Sequence, residues 1–194
     1  MKKRSTSTTK PVQPSRSAAD ALTFNVAGLL GEPMGTVRDL VVAAPPLELV
    51  EGLRQTRGAT GSLRLTRTNR GLFVHARLST GLALTCSRCL RDLDWPIQVE
   101  IDEEALPTMD ATGQPLDVEA EPDALRLTDH HELDLESEVR DSIELAEPIA
   151  PLCREDCPGL CIVCGLELAT GPHDHPDDEI DPRLEGLRGF VEGR

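Results

Sequence analysis

Tyrosine is absent from the 194 residues, tryptophan occurs once and phenylalanine three times. Aromatic burial therefore contributes little, and a chain so short of large residues gains more than usual from a staple such as a metal ion. There is no window of about 18 apolar residues, which excludes a membrane-spanning helix. The basic start, with Lys2, Lys3 and Arg4, is not followed by an apolar run, so no secretory leader is expected. Nor is there a glycine loop to cradle phosphate, a dinucleotide fingerprint or a nucleophile–base pair. The compartment these absences imply is the reducing cytoplasm, where clustered cysteines are more often metal ligands than disulfides.

Positive charge is scarce beyond the first half. Residues 102–194 hold 26 acidic and 6 basic side chains, residues 21–101 seven and nine, and residues 1–20 one and five. An acidic half repels nucleic-acid phosphate and attracts basic proteins, although acidity also serves solubility alone. Any contact with RNA is expected on the basic arm (Lys2, Lys3, Arg4) or the β half.

Residues 1–20 are Ser, Thr, Lys and Pro with little apolar content, the composition of a disordered arm. An antiparallel β domain is expected over residues 21–101. The stretch 22–26 alternates as a strand does, and 38–43 is a short apolar piece. Residues 47–54 fit either a strand or a helical turn. From Gly61 the pattern sharpens: Leu63 and Leu65 alternate, Asn69-Arg70-Gly71 is turn chemistry, and 72–78, 82–85 and 95–101 follow as strands. Cys86 and Cys89 then fall at a strand-to-strand turn. His75, inside a strand pattern, reads as a satisfied sheet histidine. Residues 102–132 are acidic, carry Pro107, Pro115 and Pro122, and read as a loop. At its end, the adjacent His130 and His131 point apart in extended chain and make a poor chelate.

Over residues 133–194 a helix and a metal-binding segment are expected, packed on the β domain. Asp134 caps a helix from Leu135 to about Glu147, with Leu135, Val139, Ile143 and Ala146 on one face. Pro148 and Pro151 stop it and deliver Cys153. The predicted fold is α+β: an antiparallel meander with one packed helix and a C-terminal cysteine-rich zinc-knuckle segment.

All six cysteines lie in two short segments, C-S-R-C at 86–89 and C-R-E-D-C-P-G-L-C-I-V-C at 153–164. Thiolate and imidazole are the ligands tetrahedral zinc takes, and a two-residue gap lets both sulfurs of a turn face one ion. Cys153 and Cys157, four apart, suit one face of a helical turn. Pro158-Gly159 separates them from Cys161 and Cys164, so the two pairs face different ions. His173 and His175, two apart, put their rings on one side of extended chain. Two sites result: Cys161, Cys164, His173 and His175 in one, and Cys86, Cys89, Cys153 and Cys157 in the other. The competing arrangement is one filled site with spare thiols. Closed four-ligand sets argue against catalysis, and Asp174, Asp177 and Asp178 beside the histidines read as a solvated face.

The order of these parts resembles the YceD family, the large ribosomal RNA subunit accumulation proteins. The resemblance rests on C-S-R-C-L at 86–90, the acidic stretch, the helix leading into E-P-I-A-P-L-C, the run C-R-E-D-C-P-G-L-C-I-V-C-G-L-E-L and the D-P-R-L tail. Cysteine-rich members often end the motif with C-x-C; here His173 and His175 stand in that place, which keeps the ligand type with less softness. The resemblance implies a bacterial cytoplasmic factor without enzyme activity, needed for large-subunit rRNA to accumulate. Its expected partner is a ribosomal protein or an rRNA assembly intermediate, and its cofactor one or two zinc ions. Two other classes stay open, a zinc-ribbon nucleic-acid binder and a metal-dependent hydrolase. The first needs a basic face near the cysteines, the second an open three-ligand site.

Overall fold

The structure is a computed structural model that describes residues 17–109, 114–116, 124–171, 175 and 183. The chain is α+β with antiparallel sheets and few helices. In chain order it forms α1 (Ala18–Leu22), β1 (Thr23–Asn25), α2 (Ala27–Leu30), β2 (Val37–Ala43), β3 (Arg54–Arg67), β4 (Leu72–Thr85), β5 (Asp92–Ala105), β6 (Glu132–Asp134) and α3 (Glu136–Leu145). Strands β2-β3-β4-β5 are spatial neighbours in sequence order, a meander, while β1 and β6 pair as a separate ribbon.

One face of the meander is apolar because the strands alternate. Leu63, Leu65, Val74, Ala76, Leu78, Val99 and Ile101 are buried with Leu22, Val26, Leu29, Leu133, Val139 and Ile143 in a single core. The opposite face is wet and charge-paired, as an antiparallel sheet allows. A row across four strands places Asp39, Arg64, His75 and Asp102 side by side. Within it Arg64 Nε donates to Asp39 at 2.7 Å, and His75 Nδ1 lies 2.5 Å from Asp102. His75 is thus a satisfied sheet histidine.

Strand β3 crosses β4 with no room between backbones. A Cβ built on Gly61 stands 1.9 Å from the Arg77 carbonyl oxygen, so only glycine fits there. The β4–β5 ladder pairs every residue from Leu72 with Ala105 to Thr85 with Asp92. Fourteen-residue strands at about 3.3 Å per residue make a hairpin of roughly 45 Å.

Several element bounds differ from the sequence reading. The stretch 22–26 divides between the end of α1, the three-residue β1 and the N-cap of α2, because Leu22, Val26 and Leu29 are all pulled into the core. Residues 47–53 are neither strand nor helix. They are fastened by buried Gln55, whose Oε1 accepts the Leu47 N–H, and by Glu144, which accepts the Val50 N–H at 2.9 Å. Strand β5 runs to Ala105, and Leu106 continues the tie to the loop's far side, donating to the Leu125 carbonyl at 2.9 Å. Helix α3 is shorter than expected at both ends, and its N-cap is Leu135 rather than Asp134, whose Oδ1 nevertheless accepts the Glu136 N–H at 2.9 Å.

Val139 and Ile143 face the core as the four-residue spacing requires. Truncation of Ile143 to alanine is expected to cost about 2–5 kcal/mol. Urea unfolding of metal-replete protein measures this, and a loss below 1 kcal/mol contradicts the packing described.

Candidate metal centre

The hairpin β4–β5 turns through Cys86-Ser87-Arg88-Cys89-Leu90. The Leu90 N–H donates to the Cys86 carbonyl at 3.0 Å and the Cys86 N–H to the Arg91 carbonyl at 2.8 Å. The same two bonds recur 75 positions later. There the Gly165 N–H donates to the Cys161 carbonyl at 2.9 Å and the Cys161 N–H to the Leu166 carbonyl at 2.8 Å. Both turns need a left-handed residue after the second cysteine: Gly165 has φ 72° and Leu90 has φ 58°. Glycine takes this conformation freely and leucine does not. In each turn the first sulfur also gains a backbone partner; the Val163 N–H points at Cys161 Sγ at 3.4 Å.

Residues 151–160 close on the first turn. The Ser87 N–H donates to the Pro151 carbonyl at 2.8 Å, Arg88 Nη1 to the Cys157 carbonyl at 2.9 Å, and the Cys153 N–H reaches Cys86 Sγ at 3.4 Å. Cys153 and Cys157 flank a hydrogen-bonded turn outside any helix, the Cys157 N–H donating to the Arg154 carbonyl at 3.1 Å. Leu93, Leu152 and Leu160 pack around the sulfurs.

Four sulfurs meet as a result. Cys86 Sγ lies 3.9 Å from Cys157 Sγ, Cys89 Sγ 3.7 Å from Cys153 Sγ, and all four fall within 4.8 Å of one another. Sulfurs 2.3 Å from a tetrahedral zinc stand about 3.8 Å apart, so these two pairs already have the edge length of a thiolate tetrahedron. Cys86, Cys89 and Cys157 are buried and Cys153 is half-buried. A cavity of about 70 Å³ bounded by Cys89, Cys153, Cys157, Arg91 and Arg154 reaches the cluster from one side.

The sulfurs differ in acidity. The N–H groups of Cys89 and then Cys153 hold the Cys86 thiol down to about 6. Cys153 is pushed up to about 12, first by Cys157, then by burial and by Cys89. At Cys89 the Arg91 N–H favours the thiolate, but burial and the sulfurs of Cys86 and Cys157 outweigh it and the net shift is upward. Four negative sulfurs at these distances repel strongly, and a dication relieves that repulsion.

Cys161, Cys164 and His175 form a second group, their ligand atoms also within 4.8 Å of one another, with Cys161 Sγ 3.2 Å from His175 Nε2. His173 lies outside the described residues. Two further histidines are not drawn in: His130 and His131 belong to neither group, and His131 has φ 56°. Sequence reasoning found every cysteine of the clusters but missed the clasp made by Ser87 and Arg88, and the 2.8 Å bond from the Arg91 guanidinium to Glu167. The left-handed Leu90 was also missed, although its place behind C-x-x-C matches that of Gly165.

A sequence profile described as large ribosomal RNA subunit accumulation protein YceD matches residues 74–191, more than half of the chain. The chain belongs to the YceD family. The match includes both cysteine turns of this YceD chain and the helix between them. Uncharacterized proteins of Mycobacterium bovis and Mycobacterium tuberculosis H37Rv are each 31% identical over 176 residues, 89% of the chain and 82% of theirs. An uncharacterized Mycobacterium leprae protein is 33% identical over 120 residues, 62% of the chain and 53% of its own length. No solved structure matches. The family description is tied to large-subunit rRNA accumulation and names no enzyme, and among the described residues no helix is long and apolar enough to cross a membrane.

The shared backbone of the two turns gives an asymmetric expectation. Gly165→Ala places a Cβ in the left-handed region and costs about 1–2 kcal/mol. Leu90→Gly relieves that same cost but adds freedom to the unfolded chain, so its net effect stays within about 1 kcal/mol. Thermal unfolding of the two metal-loaded variants checks this; equal losses would mean that the turns are not equivalent.

Proposed function

We propose that this YceD protein is a non-enzymatic factor in the accumulation of large-subunit rRNA, working in the bacterial cytoplasm and held in shape by zinc. Cys86, Cys89, Cys153 and Cys157 form the first site, and Cys161, Cys164, His175 and His173 the second. The single observation that carries the reading is the sulfur cluster, in which the Cys86–Cys157 and Cys89–Cys153 edges have the length a four-thiolate zinc requires. Bound there, zinc supplies no chemistry beyond neutralising the thiolates, because four protein ligands leave no open position. The chain's own residues do the rest: the hairpin fixes Cys86 and Cys89, while Ser87 and Arg88 hold residues 151–157 against them. The divisions that go with this reading are a basic arm over 1–20 whose last three residues begin α1, the β domain over 21–101, an acidic segment over 102–132 whose first four residues complete β5 and whose last begins β6, and the zinc-binding portion over 133–194.

The partner is a ribosomal protein or an rRNA assembly intermediate. A nucleic-acid binder working through its sheet would need free cations there. Seven of the nine arginines in residues 21–101 are instead engaged by carboxylates or carbonyl oxygens, among them Arg57, Arg64, Arg77 and Arg91. That leaves Arg38 and Arg54 in this half, and Lys2, Lys3 and Arg4, which lie outside the described residues, offer further cations for RNA.

Native mass spectrometry with elemental analysis is expected to find two zinc ions per chain. Cys157→Ser should remove one and destabilise the protein by several kcal/mol, since structural zinc is worth on the order of 10 kcal/mol in small peptides. His175→Ala should weaken or remove the other ion alone. Because thiols must ionise to bind, acidification releases both. A metal-free native protein of unchanged stability refutes the zinc reading. Depletion followed by rRNA profiling tests the biology: 23S rRNA should fall relative to 16S, and an unchanged ratio refutes the role.

A further inference from the structure

The two cysteine turns share a backbone but not a use. At the first, the inner residues Ser87 and Arg88 grip extended polypeptide: the Ser87 N–H takes the Pro151 carbonyl and Arg88 the Cys157 carbonyl. At the second, the same two places hold Ile162 and Val163. Ile162 is 97% exposed, and Val163 and Leu166 stand exposed beside it. Among the described residues nothing accepts the Ile162 N–H, the group equivalent to that of Ser87. Four adjacent apolar side chains turned toward water (Ile162, Val163, Leu166 and Leu168) are out of keeping with so acidic a half of the chain.

Charge selects the occupant. The cations at this end are engaged, Arg91 by Glu167 at 2.8 Å and Arg154 by Asp156 at 3.2 Å. Glu155 follows Arg154 in sequence, so the described charges here, Arg91 and Arg154 against Glu155, Asp156 and Glu167, leave a negative excess, and the sequence from 174 to 181 carries five acidic and no basic side chains. Phosphate is repelled by such a balance, whereas Lys and Arg are drawn to it.

We propose that the tip of the second cysteine turn, Ile162-Val163 with Leu166 and Leu168, is a docking surface for an extended basic polypeptide of a partner protein. An apolar side chain of that partner seats on Ile162 and Val163, and a carbonyl of its backbone accepts the Ile162 N–H as Pro151 does at Ser87. The inference deepens the reading above by naming the partner's class, and rests on it for the partner's setting in ribosome assembly.

The first turn supplies the test variant. Ile162→Ser with Val163→Arg copies a pair that this backbone already accommodates at 87 and 88, so fold and zinc content should be retained. The probe is a fluorescent 12-residue peptide alternating lysine and leucine, titrated into full-length zinc-loaded protein. Lysine–serine and glutamate–leucine peptides and a 12-nucleotide uridine RNA serve as controls. The lysine–leucine peptide should bind at least tenfold tighter than any control, and the double variant should weaken it at least tenfold. Equal binding by the variant, or preference for the RNA or for either control peptide, overturns the inference. In cells, a photocrosslinker replacing Ile162 should form a nuclease-resistant adduct with a lysine- and arginine-rich segment of a large-subunit protein. An adduct with RNA, with a second copy or with this chain's own residues 176–194 overturns it. Failure of the two readings is separable. An unchanged 23S to 16S ratio on depletion defeats the assembly role and leaves peptide binding to decide the surface. Full restoration of that ratio by the double variant defeats the surface and leaves the assembly role standing.

Discussion

Sulfur meeting sulfur across 64 and 71 positions of sequence is the contact on which the arrangement depends. Closing a loop of that length carries an entropic cost that grows only slowly with size, but it is met in one step and must be repaid locally. The repayment comes from few groups: three backbone or guanidinium hydrogen bonds, a handful of leucines and the sulfurs themselves. In a chain without tyrosine, no large aromatic core stands behind the joint. A dication bound among the thiolates would change the balance from marginal to firm, because the same charges that repel one another would become its ligands.

The sheet contributes direction more than energy. An unbroken fourteen-pair hairpin holds Cys86 and Cys89 at its end, so their aim is fixed before the second segment arrives. Helix α3 supplies the return path. The bond from its first N–H to Asp134, its burial through Val139 and Ile143 and its grip on residues 48–50 through Arg140 and Glu144 set where the prolines release the chain. The polar outer face of the sheet adds little of its own, since exposed ion pairs contribute weakly. It keeps that side soluble and leaves its arginines occupied.

Much of this was legible because the relevant signals are local. Alternation at Leu63, Leu65, Leu72 and Val74, the turn at Asn69-Arg70-Gly71 and the four-residue spacing of Val139 and Ile143 each announce an element within a few positions. The grouping of Cys86 with Cys89 and of Cys161 with Cys164 follows from spacing alone. What stayed hidden is set by distant partners. The stretch 47–53 has no propensity of its own and takes its course from Gln55 and Glu144. The break after Leu22 reflects a shared core rather than a local breaker. Arg88 looks like any surface arginine until the Cys157 carbonyl stands opposite. Leu90 hides because leucine is not the residue that usually signals a left-handed bend.

The separation of the two halves of the four-sulfur cluster also has a bearing on synthesis. A polypeptide emerges from its N-terminal end at about 5–20 residues per second, so Cys157 follows Cys86 by roughly 4–14 s. Throughout that interval the nascent hairpin carries a finished two-thiol bend with nothing to complete it. Such a bend is open to an oxidant, a stray copper ion or the wrong thiol. A protein assembled this way depends on how well the cell guards unfinished thiols while translation is still running.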